Sequence, residues 1–83
     1  MAYNASLESV KEVIASLFGH APQDVSDQAR VGELPGWDSL GQVLLVGELE
    51  QRYQVSFTIQ ETAQLTSVQS ISELLKSKGV PNA

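Results

Sequence analysis

The chain has 83 residues, ten acidic side chains against five basic ones, a net charge of −5 and no cysteine. A chain this short buries only about 60% of its unfolded surface, so one domain is expected over residues 1–83, with no room for separate substrate-binding and catalytic units. The missing cysteines exclude a disulfide framework and a thiolate metal site, and the acidic balance disfavours nucleic acid and anionic membrane as partners.

The first four residues, Met1-Ala2-Tyr3-Asn4, carry neither a basic region nor a long apolar run, so no secretory leader is expected. The longest unbroken apolar run, Val43-Leu44-Leu45-Val46, is far too short to span a membrane. A cytoplasmic protein is the expectation.

A helix is expected from Ala5 to Phe18. Leu7, Val10, Ile14 and Leu17 recur at three and four residues, with Val13 and Phe18 beside them, which places one apolar stripe on one face. Glu8, Lys11 and Glu12 fall elsewhere and should face water. Gly19 is placed to stop the helix, and Pro22 prevents its continuation.

A long connection follows, from Gly19 to Asp38, punctuated by Pro22, Gly32, Pro35 and Gly36. Loops of this length in small domains are usually functional or flexible. Val25, Val31 and Leu34 are its expected anchors on the core.

The connection ends in Gly36-Trp37-Asp38-Ser39-Leu40. Asp38 is a good N-cap, because its carboxylate accepts hydrogen bonds from the free N–H groups of a first helical turn. Ser39 then opens a second helix running to about Tyr53, with its hydroxyl at the positive end of the dipole, where a phosphate is favoured. Taken alone, these residues make a helix start and nothing more.

The second helix has apolar residues on two sides. Leu45, Val46, Leu49 and Tyr53 make one stripe, and Leu40, Val43, Leu44 and Gly47 cluster roughly opposite. A domain with few helices cannot bury such a helix all round. Either the second stripe is an exposed patch of the kind that marks docking sites, or the long connection folds over it. Gly41 and Gly47 each cost about 1 kcal/mol relative to alanine, and either admits a close approach by another surface.

Thr58-Ile59-Gln60-Glu61 and Thr66-Ser67-Val68-Gln69 both have the spacing of a capping box. Only a very short helix fits between them, around Ile59 to Gln64. A last helix runs from Ser67 to about Ser77, with Val68, Ile71, Leu74 and Leu75 as its apolar face, and Gly79 and Pro81 close it. The sum is an all-α domain, a small bundle of three main helices plus one short helix, with a long loop between the first two.

Chemistry of its own is sparse. His20 has no evident link to Ser39, which leaves a serine hydrolase without a base or orienting acid. No metal-ligand cluster, glycine-rich phosphate loop or paired carboxylates appear. By elimination the chain is not expected to be an autonomous enzyme.

The whole pattern resembles the acyl carrier protein family, including the related peptidyl carrier domains. The residues that carry the likeness are Gly36 and Asp38-Ser39-Leu40, the tail Leu49-Glu50-Gln51-Arg52-Tyr53-Gln54-Val55, the lead-in Leu65-Thr66-Ser67-Val68, and the order of elements. The resemblance implies that Ser39, flanked by Asp38 and Leu40, carries 4'-phosphopantetheine, placed there from coenzyme A by a phosphopantetheinyl transferase. The arm would hold acyl or aminoacyl cargo as a thioester. A loading ligase and synthase or acyltransferase enzymes would act on a monomeric carrier. In the family a long acyl chain can slip between helices, and Val46, Leu49, Phe57, Leu65 and Val68 are the candidate lining here. Bulky Phe57 and Tyr53 favour short or polar cargo.

Many family members follow the motif with acidic residues where this chain has Gly41 and Leu44. Docking is therefore expected to rest on Trp37, Leu40, Val43, Leu44, Gly47 and Glu48, with more apolar contact and less charge steering, although Trp37 reads equally as an anchor of the loop. This departure points to a specialised biosynthetic pathway. The alternative is an armless helical interaction module that docks through Leu40, Val43 and Leu44.

Overall fold

The computed structural model describes residues 3–82. Met1 and Ala2, at the start of the segment read above as lacking a leader, and Ala83 lie outside them. Four helices follow one another: α1 over Leu7–Phe18, α2 over Ser39–Tyr53, α3 over Ile59–Thr62 and α4 over Val68–Ser77. The fold is all-α, and the α1–α2 connection carries one short 3-10 turn, Pro22–Asp24.

Local chemistry sets the helix ends. Ser6 caps α1 by accepting from the Ser9 amide, so the helix begins two residues later than Ala5. Ala5 instead pins the chain ends together, since its amide donates to the Pro81 carbonyl at 2.7 Å and its own carbonyl accepts from the Ser72 hydroxyl. Gly19 ends α1 in the left-handed conformation, as the stop signal predicts. Both capping boxes form, Thr58 with Glu61 and Ser67 with Ser70. The second closes one residue later than the sequence placed it. Because Ser67 is the cap, α4 starts at Val68.

Val10, Val13 and Ile14 of α1 meet Leu45 and Leu49 of α2 and Ile71 and Leu75 of α4 in one buried core. Removing each of the larger side chains from water contributes about 1.5–3 kcal/mol. Val25 and Leu65 are buried with them, while Val31 and Leu34 pack on the edge.

The long connection is tied down at several points. The Val31 amide donates to the Thr66 carbonyl at 2.8 Å, and the Val68 amide to the Ala29 carbonyl at 3.0 Å. These two bonds make an antiparallel bridge between Arg30 and Ser67, which fixes the loop to the start of α4. Lys11, expected in water, lies against the loop instead, with its ammonium 2.6 Å from Asp27 and 3.1 Å from Glu8. The radius of gyration is 11.3 Å, and none of the described helices is long and apolar enough to cross a membrane.

Candidate functional site at the head of the second helix

Asp38 stands in extended backbone directly before α2, and its Oδ1 accepts from the Gly41 amide at 2.9 Å. The Gln42 amide makes the first helical bond, to the Asp38 carbonyl at 2.8 Å. Two donors of the first turn, the Ser39 and Leu40 amides, have no protein partner among the described residues. Ser39 is exposed, so its hydroxyl opens to solvent at the positive end of a 15-residue helix.

A turn delivers the chain to this point. The Gly32 amide donates to the Trp37 carbonyl at 2.6 Å and the Trp37 amide to the Leu34 carbonyl at 2.9 Å. His20 Nε2 lies 2.8 Å from the Pro35 carbonyl. A carbonyl only accepts, so Nε2 carries the proton and is committed to the loop. Among the described residues no hydrogen bond joins His20 to Ser39.

Gly36 and Gly41 lie against one another. Gly36 has a φ of 94° and packs on the Phe18 side chain. A Cβ on Gly41 would sit far inside 3.0 Å of the Gly36 carbonyl oxygen. Gly41 is thus the residue that lets the loop close onto α2. Gly47 has nothing within 4 Å of the same virtual atom.

Of the two readings of Trp37, its burial favours the loop anchor. Read as a docking contact, it is 0% exposed and belongs to the core, with its indole Nε1 donating to Gln42 Oε1 at 2.7 Å. An apolar ring with its one donor satisfied inside the protein has nothing left to offer a partner. Glu48 is also occupied, because its carboxylate pairs with Arg52 one turn on.

The second apolar stripe of α2 is not covered by the loop. Leu40 is 74% exposed, Val43 68% and Leu44 56%, and Gly47 is exposed in the same i, i+3, i+4, i+7 series. Ile59, 88% exposed at the start of α3, is a large apolar surface residue with no signal in the sequence to single it out, since its capping-box position marks only a helix start. Of the supposed interior lining, Leu49, Leu65 and Val68 are fully buried, while Val46 and Phe57 are partly so.

The serine that heads the capped second helix lies within a span that sequence comparison matches to a known family. The family described as "Phosphopantetheine attachment site" matches residues 8–75. An acyl carrier protein of Buchnera aphidicola subsp. Baizongia pistaciae is 32% identical over 83% of this chain and 88% of its own length. One from Campylobacter concisus is 31% identical over 90% of this chain and 97% of its own. The chain belongs to the acyl carrier protein family of phosphopantetheine-binding proteins, and its cofactor is covalently attached 4'-phosphopantetheine.

Proposed function

We propose that Ser39 is the residue that carries the phosphopantetheine arm, and that residues 1–83 act as one carrier unit. The observation that supports this best is the exposed Ser39 hydroxyl at the head of α2, beside the two unpartnered amides of the first turn. That donor set suits a phosphodiester, and the first turn of α2 itself carries no acidic side chain. When bound, the arm supplies a thiol that holds cargo as a thioester. The chain's own part is to hold the hydroxyl open to a transferase and to present a surface that partners can grip and release.

The grip is the Leu40, Val43, Leu44 and Gly47 face. The first turn holds no acid after Asp38, so partners should recognise the site by apolar contact more than by charge. This supports a specialised cytoplasmic pathway, with its own loading ligase and synthase or acyltransferase, rather than a general supply of fatty acids. The protein is read as a monomeric carrier worked on by others.

Incubation with coenzyme A, magnesium and a broad-specificity transferase tests the reading. A mass gain of one phosphopantetheine in the wild type, absent in Ser39→Ala, is the expected result. A wild type that stays unmodified while a control carrier is loaded refutes it. Partner binding that survives Ser39→Ala without any loading would favour the armless module instead.

A further inference from the structure

We infer that Trp37 and Gln42 bar the interior of the bundle to cargo on Ser39, so that the acyl chain remains outside the protein and the cargo is of a short or polar class. The inference rests on Ser39 being the attachment residue.

The bar is a chain of hydrogen bonds across three segments. Trp37 ends the long connection, Gln42 lies in the first turn of α2, and Leu65 belongs to the α3–α4 connection. Trp37 Nε1 donates to Gln42 Oε1 at 2.7 Å, and Gln42 Nε2 donates to the Leu65 carbonyl. An indole N–H only donates and a carbonyl only accepts, so the carboxamide has one possible orientation. Trp37 and Leu65 are fully buried at its two ends.

The other flank of α2 is closed as well. There the Gly36 carbonyl sits on Gly41, backed by the Phe18 ring. Between the flanks, Leu45 and Leu49 are fully buried. Surface hollows among the described residues are lined elsewhere, by residues such as Arg52 and Lys78, Gln64 and Glu73, or Leu7 and Lys76.

A chain passing from Ser39 into the core must part Gln42 from Trp37 and Leu65. The freed indole N–H and carboxamide would then face an acyl chain that offers them no hydrogen bond, and unmade buried bonds are unfavourable. Each methylene left in water forgoes its burial, so such a carrier suits cargo with few exposed methylenes.

The test loads the protein with an octanoyl arm from octanoyl-coenzyme A and a broad-specificity transferase. Intact mass is read first. No mass gain defeats the Ser39 reading itself, and the inference with it. On loaded protein, nuclear Overhauser cross-peaks from the octanoyl methylenes are then compared between wild type and Gln42→Ala. We expect none to Leu49 or Leu65 in the wild type and their appearance in Gln42→Ala. Cross-peaks to either leucine in the wild type overturn the inference while leaving attachment intact. So does a folded Gln42→Ala whose cross-peaks match the wild type. If Gln42→Ala does not fold, Trp37→Phe, which keeps the ring and loses the donor, is read the same way.

Discussion

The carbonyl oxygen of Gly36 occupies the space that a side chain on Gly41 would need. The two residues therefore set how closely the long connection approaches α2, just ahead of Ser39. Gly41→Ala forces the backbone apart and should destabilise the fold by about 1–3 kcal/mol, as overpacking does. Gly47 has open space at the same virtual atom, so Gly47→Ala should stabilise by about 1 kcal/mol through helix propensity alone. Urea denaturation of both variants checks the contrast. Equal and opposite signs reversed, or two neutral variants, would contradict the close approach.

Trp37 and Leu40 lie three residues apart and should behave oppositely. Trp37 is fully buried with its N–H bonded to Gln42. Trp37→Ala should therefore cost about 3–5 kcal/mol. Leu40 is mostly exposed, so Leu40→Ala should change stability by under ~0.5 kcal/mol. Thermal unfolding separates them.

The exposed face predicts a kinetic signature. Leu40→Ala and Leu44→Ala should each lower transferase kcat/KM by about fivefold, equivalent to the ~1 kcal/mol typical of a significant interface residue. Added salt should change the wild-type rate little, because the contact is apolar and screening acts on charge. A steep fall with salt would show that docking is electrostatic after all.

Glu61 gives α3 a dependence on pH. Its carboxylate bonds Lys78 at 2.8 Å and also accepts from the Thr58 amide at 2.9 Å. These hold its pKa below the usual carboxylate value, the Lys78 contact first. A lowered folded pKa means stability that is present above the unfolded pKa and is lost as pH falls through the folded one. Amide exchange at Thr58 and Glu61, corrected for intrinsic rates, should accelerate below about pH 4. Glu61→Gln should remove that acid dependence.

Much of this was legible in the chain. The bounds of α2 follow from Asp38 as a cap and from the apolar series to Tyr53. The two boxes located α3 and α4 because capping is a local interaction. What stayed hidden depends on distant partners. An aromatic before a cap reads equally as a contact or an anchor, and only the pairing with Gln42 settles Trp37. The Arg30–Ser67 bridge joins segments far apart in sequence, with no alternation to announce it. Gly41 and Gly47 look alike in the sequence, and only the fold shows that one of them faces the loop. The α2 stripe through Leu40 was visible, but whether the loop covered it required the loop's path.

The account stands on Ser39, and peptide mapping addresses it most directly. Trypsin releases residues 31–52 as one peptide, in which Ser39 is the sole hydroxyl. After loading with coenzyme A and a transferase, the added phosphopantetheine should be found on this peptide. Its appearance on any other peptide, or on none while a control carrier is loaded, would contradict the account.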